Sequence, residues 1–128
     1  MHPLTPYDQQ TNLKAINEDK VDFISTTLGV RTEMGVEMVR AAMECVQLFD
    51  TKQQDYGSDN ISSNGELGIA VRLQDKVSRM RHILLKELAA KERSAQMFKT
   101  NHEALEDSFK DAANYALIGL LLRRKKWK

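Results

Sequence analysis

The 128-residue chain is poor in several residue types, and each scarcity excludes something. A single cysteine, Cys45, cannot form an intramolecular disulfide, so a disulfide-stapled scaffold is out, and its apolar helical surroundings make it a small buried thiol. The three histidines, His2, His82 and His102, lie far apart and lack the spacing of a Cys/His zinc site. With two prolines and six glycines, the chain lacks the turn residues of a β-sandwich or barrel. Charge of one sign is missing too: 19 Lys+Arg stand against 18 Asp+Glu, a formal +1, which removes the simplest argument for nucleic-acid binding. The longest apolar run, Ala116 to Leu122, falls far short of the ~20 residues that span a bilayer. MHPLTPYDQQ shows no basic segment followed by an apolar one, so no secretory signal is expected and the reading is a cytoplasmic protein off the membrane.

What the chain does contain is helical. Leu, Ile, Val and Phe supply 31 of the 128 residues, above the ~20% below which chains stay disordered. The length suits one domain, with an irregular arm over 1–11, a helical region over 12–122 and a basic tail over 123–128. Apolar residues recur at helical spacing from Leu13 to Leu28, and Gly29 supplies a stop. Thr32 is a natural N-cap for a helix to about Gln54, whose apolar face is Met34, Met38, Ala41, Ala42, Cys45, Leu48 and Phe49. The polar stretch SDNISSNGE then predicts a loop with room for a ligand. From Glu66 to about Ala95, Ala70, Leu73, Val77, Met80 and Leu84 form a bundle seam. After a connection within 89–102, a last helix from about Glu103 carries Leu105, Phe109, Ala112, Ala116 and Leu120, widened by Leu117 and Leu121. No strand-like alternation occurs, so the expected fold is an all-α bundle of three to five helices with little or no sheet.

Three polar clusters remain. Asp55, Tyr56 and Gly57 close the second helix, where Gly57 is at least a helix stop. Arg72, Asp75, Lys76 and Arg79 share one face, three cations around one carboxylate. As a solvated face they would form intrahelical pairs, Arg72–Asp75 and Asp75–Arg79, worth about 0.2–0.5 kcal/mol each. As a site they form a phosphate grip, because the guanidinium fork and the compact ammonium both suit phosphoryl oxygens. Asp107, Asp111 and Asn114 follow at i, i+4 and i+7 on the last helix. Two carboxylates one turn apart repel, whereas hard oxygen ligands at this spacing suit a Mg²⁺ that also touches phosphates. An acidic first turn explains Glu103, Glu106 and Asp107, but not the deeper Asp111 and Asn114.

These blocks, KQQDYG (52–57), GELGIAVRLQDKVSRM (65–80) and EALEDSFKDAANYALIGLLL (103–122), resemble the phage and bacterial nucleotide-modification-associated domain 1 family. The family pattern maps onto Lys52, Asp55, Tyr56 and Gly57, then Gly68, Arg72, Asp75, Lys76 and Arg79, then Asp107, Ser108, Asp111, Asn114 and Tyr115. Where a serine often stands three residues before the first aspartate of the last block, this chain has Ala104. The resemblance covers about residues 40–122 and implies a small helical protein of phage nucleotide metabolism or base modification. A looser similarity links that architecture to MazG-like all-α nucleotide pyrophosphatases, which hold Mg²⁺ with E-x-x-E and E-x-x-D motifs. Glu103 and Glu106 make an E-x-x-E pair here, but no E-x-x-D follows.

The resulting expectation is a nucleotide-binding protein, with phosphates on Arg72, Lys76 and Arg79 and the base or sugar on Tyr56 or Tyr115. Lys52, Asp55, Gly57 and Asn114 complete the binding set. As a phosphohydrolase it would use Mg²⁺ held by Asp75, Asp107 and Asp111, with Asp75 and Asp111 as the catalytic pair. The alternatives are a non-catalytic nucleotide binder and a helical protein-interaction module. The tail, LLRRKKWK, complements the dipole of the last helix; a polyanion contact with Trp127 stacked on a base is not favoured, and an anionic membrane still less. A thin bundle with a methionine-rich face also predicts a homo-oligomer.

Overall fold

A computed structural model describes residues 16–90 and 94–128. Among these residues the chain is all-α, with four helices and no strand: α1 (Glu18–Leu28), α2 (Glu33–Tyr56), α3 (Asp59–Ala89) and α4 (Ala95–Arg123). The chain divides into two compact units at Gly57, the first holding α1 and α2 and the second α3 and α4. The expected arm over 1–11 and the start of the expected first helix, 12–15, lie outside the described residues.

In the first unit, the polar run that follows Ile16 is a helix start. The Asn17 side chain accepts from the Asp19 N–H at 2.8 Å, and Glu18 and Asp19 occupy the first turn, where the dipole favours acids. Gly29 ends α1 at φ 73°, a left-handed conformation that costs glycine nothing. Thr32 caps α2 as its sequence predicts, its hydroxyl accepting from the Gly35 N–H at 2.9 Å. Gly35 has a second reason to be glycine: a Cβ there would stand 2.6 Å from Val30 Cγ1. Val21, Val39 and Cys45 are the buried apolar residues. The expected apolar face of α2 is only partly covered. Cys45 is buried and Leu48 and Phe49 are half-buried, but Met34 and Met38 are 74% and 68% exposed, and Ala41 and Ala42 are open too. The 11-residue α1 is shorter than the 24-residue α2 and packs on the flank carrying Val39 and Arg40. Met34 and Met38 are left outside that contact. An apolar groove of about 710 Å³ remains, lined by Ile24, Leu28, Val30, Met38, Val39 and Met43.

In the second unit, the loop expected over SDNISSNGE is absent. Helix α3 begins at Asp59 and runs through the segment, broken only by a kink at Gly65 (φ 60°, ψ −154°). The polar side chains that suggested a loop bond back into the helix instead. Ser62 and Ser63 hydroxyls donate to the carbonyls of Ser58 and Asp59 at 3.0 and 2.8 Å. Helix α3 also ends earlier than expected, at Ala89. Helix α4 begins eight residues before Glu103, at Ala95, because Ser94 caps it by accepting from the Met97 N–H at 3.0 Å.

Candidate functional site

Helices α3 and α4 pack as an antiparallel pair, and their contacts set the register. A Cβ on Gly119 would meet Ile69 Cγ2 at 3.6 Å, Arg72 lies over the Tyr115 ring, and Lys76 meets Asp111. As the number rises on α3 it falls on α4. The same register, carried one turn further, sets Met80 level with Ser108, both buried.

This seam differs from the predicted one. Leu73 is half-buried and Met80 buried, as expected, but Ala70, Val77 and Leu84 are exposed, and so are Phe109, Ala116 and Leu120 of the expected α4 stripe. The helical phase explains the error. Ile69, Leu73, Met80 and Ile83 point into the contact together with Arg72 and Lys76, while Ala70, Val77 and Leu84 form a second row about 60–100° around α3, outside it. On α4 the line facing α3 passes through Ser108, Asp111, Ala112, Tyr115 and Ile118, so polar residues occupy core positions.

The cationic and acidic faces therefore converge in part. Lys76 Nζ lies 3.0 Å from Asp111 Oδ2, with the two side chains only 23% and 18% exposed. One turn away the Arg72 guanidinium sits 5.8 Å from the Tyr115 ring centroid, within cation–π range. Ser108 is 1% exposed and Asn114 is buried beside them. The intrahelical pairs expected around Asp75 do not form: Arg72 turns to Tyr115, and Asp75 and Arg79 project to solvent. Asp107 is exposed as well.

Lys52, Asp55, Tyr56 and Gly57 belong to the first unit, on the last turns of α2. Gly57 is the helix stop, at φ 67° and ψ −165°, its N–H donating to the Gln53 carbonyl at 2.9 Å. Asp55 and Tyr56 are exposed there, Tyr56 at 77%. The E-x-x-E pair has local company: Glu106 lies 3.8 Å from His102 and 4.0 Å from Lys110.

The carboxylates do not gather as a Mg²⁺ site requires. Asp111 faces an ammonium, Asp75 and Asp107 face solvent, and among the described residues no group of three or more His, Cys, Asp or Glu side chains is placed to hold a metal.

Sequence reading missed two features. One is the depth of Ser108, a small hydroxyl side chain between Leu105 and Ala112 on the contact line. The other is Trp127, whose indole N–H donates to the Ser58 carbonyl at 3.1 Å and ties the tail to the start of α3. Nothing in the local sequence signals a contact between residues 69 apart.

Against protein-family models, curated proteins and solved structures, the chain gives no significant match. No helix among the described residues is long and apolar enough to cross a membrane.

Proposed function

We propose that the α3–α4 pair binds the phosphate groups of a nucleotide and holds the ligand without cleaving it. The observation that carries this reading is the Lys76–Asp111 pair, 3.0 Å apart in a seam that also contains Arg72, Tyr115, Ser108 and Asn114. A helix pair selected only for stability would fill these positions with apolar side chains, which replace buried ion pairs at no cost or with a gain. Here Val77 and Leu84 lie outside while Arg72 and Lys76 lie inside.

The chemistry follows from the groups. Lys76 is held at the seam by Asp111, and its flexible stem lets the ammonium turn toward a phosphate. Arg72 offers its fork to a second phosphoryl oxygen, with Arg79 one to two turns along the same helix flank. Tyr115 supplies an aromatic face for a base or sugar. The same pairing disfavours the hydrolase reading, because the Asp111 carboxylate is engaged with the Lys76 ammonium. The three sequence blocks resembling nucleotide-modification proteins support a nucleotide rather than free phosphate, and with them a place in phage-type nucleotide metabolism.

Calorimetric titration with a panel of ribo- and deoxynucleoside triphosphates, with and without Mg²⁺, tests the reading. Binding without Mg²⁺, recovery of the ligand unchanged, and a loss of about tenfold to 100-fold in Arg72→Ala are expected for a charge-assisted contact worth about 1.5–3 kcal/mol. Turnover that needs Mg²⁺ and disappears in Asp111→Ala moves the assignment to a phosphohydrolase. Absence of binding to every nucleotide leaves a helical protein-interaction module.

A further inference from the structure

The chain end after α4 is folded, and its fold is costly. Arg124, Lys125 and Lys126 N–H groups donate to the carbonyls of Leu120, Leu122 and Leu121 at 3.0, 3.1 and 2.8 Å, closing the helix in a tight turn. Lys125 takes the left-handed conformation at φ 56°, alone among the described non-glycine residues. Glycine is the usual residue there, so a lysine carries strain of order 1 kcal/mol. Trp127 then reaches back to Ser58. That carbonyl accepts from three donors: the Ser62 N–H, the Ser62 hydroxyl and the Trp127 indole, at 3.0, 3.0 and 3.1 Å. The tail is thereby fixed against the first turn of α3.

The placement is unfavourable for cations on its own. They complement the C-terminal end of α4, but that end carries only about half a negative charge, less than one cation would balance. The neighbouring start of α3 is the positive end of its own helix. Arg123 lies 3.7 Å from Glu66, while no carboxylate among the described residues pairs with Arg124, Lys125, Lys126 or Lys128. Four cations share an exposed corner, and although Asp59 stands in the first turn of α3, none of the four is ion-paired among the described residues.

We propose that this corner, Arg124, Lys125, Lys126 and Lys128 around the start of α3, docks the phosphodiester backbone of a nucleic acid. A polyanion supplies several charges at once, as the cluster requires, and a backbone contact needs no base readout. The surface does not suit a membrane, because Trp127, the one aromatic of the tail, is half-buried with its N–H committed to Ser58 and is not presented as an interfacial anchor. For the same reason Trp127 positions the cations and does not stack on a base. This site is separate from the Arg72–Lys76 seam, so either assignment stands or falls without the other.

Fluorescence anisotropy with a labelled mixed-sequence DNA duplex and the full chain tests the proposal. Neutralising about four phosphates gives a slope of log K against log salt of about −3 to −4. K125E/K126E is expected to lose more than tenfold in affinity, W127F about threefold through release of the tail, and Lys20→Ala, an exposed cation of the first unit, less than twofold. Where the charge reversal disturbs folding by circular dichroism, K125A/K126A replaces it, with a slope shallower by about two. The proposal is overturned by no binding at low salt, by a slope that the tail variants leave unchanged, or by full affinity in W127F. Tail-dependent binding to phosphatidylserine vesicles without binding to the duplex overturns it equally.

Discussion

The two helix pairs handle polarity in opposite ways. In α1–α2 the charged contact has its carboxylates in solvent: Arg40, its side chain 28% exposed, bonds Glu18 through Nε at 3.1 Å and Nη2 at 2.6 Å and also pairs with Glu37, both acids more than 60% exposed, while apolar side chains line the groove. In α3–α4 the charged contact is inside and the surplus apolar side chains are outside, Val77 at 55% and Leu88 at 77% exposure among them. The first arrangement is what packing alone favours. The second keeps polar groups where they weaken a core, which is common at binding sites, where local rules of stability are broken for a ligand.

That contrast can be broken most forcefully at its charged pairs. Lys76→Met takes the ammonium away from the Asp111 carboxylate in the seam and is expected to destabilise the chain by about 2–3 kcal/mol, below the 3–5 of a fully enclosed pair because both groups keep some solvent. K76M/D111L recovers most of that loss, whereas Arg40→Met costs much less than Lys76→Met, as exposed pairs do. Chemical denaturation of the three variants checks this, and equal losses for Lys76→Met and Arg40→Met would erase the distinction. The kink in α3 comes next. Gly65→Ala forces a residue with a Cβ into φ 60°, ψ −154°, at an expected cost of about 1–3 kcal/mol. A thermal melt no lower than that of the parent chain would show that the kink is not fixed.

A smaller effect has the opposite sign. Gly119→Ala brings a methyl to an ordinary contact with Ile69 at 3.6 Å, so helix propensity decides, and a gain of up to about 1 kcal/mol is expected in the melt. Destabilisation there would mean a closer α3–α4 approach than the register implies. The smallest effect belongs to Glu18, whose carboxyl is held below its ordinary value by the hydrogen bond from Arg40. A lowered folded value stabilises above the ordinary carboxylate range, and that contribution is lost as pH falls through the folded value. Arg40→Ala should therefore flatten the acid limb of the stability–pH profile slightly, and salt should do the same. An unchanged limb would show that the rim pair adds nothing in solution.

Much of the fold was legible because helix ends carry strong local chemistry. Gly29, Thr32 and Gly57 act as their residue types predict, since cap geometry depends on few neighbours. SDNISSNGE misled because serine and asparagine bond equally well to turn backbone and to i−4 carbonyls within a helix, and only the α4 side of the pair, with Trp127 on Ser58, favours the second. The seam misled for a different reason. Apolar rows at i, i+3, i+4 and i+7 exist on both α3 and α4, but the polar row packs inside, and hydropathy cannot see a contact made by a lysine and an aspartate. The Arg72, Lys76, Asp111 and Tyr115 grouping was readable as two helix faces, while which of their members meet depended on the register. Lys52, Asp55 and Tyr56 end a helix of the first unit, and their shared block with the family pattern is a matter of sequence order.

The polar seam of α3–α4 is proposed to serve a phosphate-bearing ligand. Isothermal titration of nucleoside triphosphates into the parent chain and into K76M/D111L, which removes the pair and is expected to keep the fold by circular dichroism, tests that proposal. Binding by the parent chain without Mg²⁺, lost at least tenfold in the variant, is the predicted result. Equal binding by both proteins, or none by either, contradicts the claim.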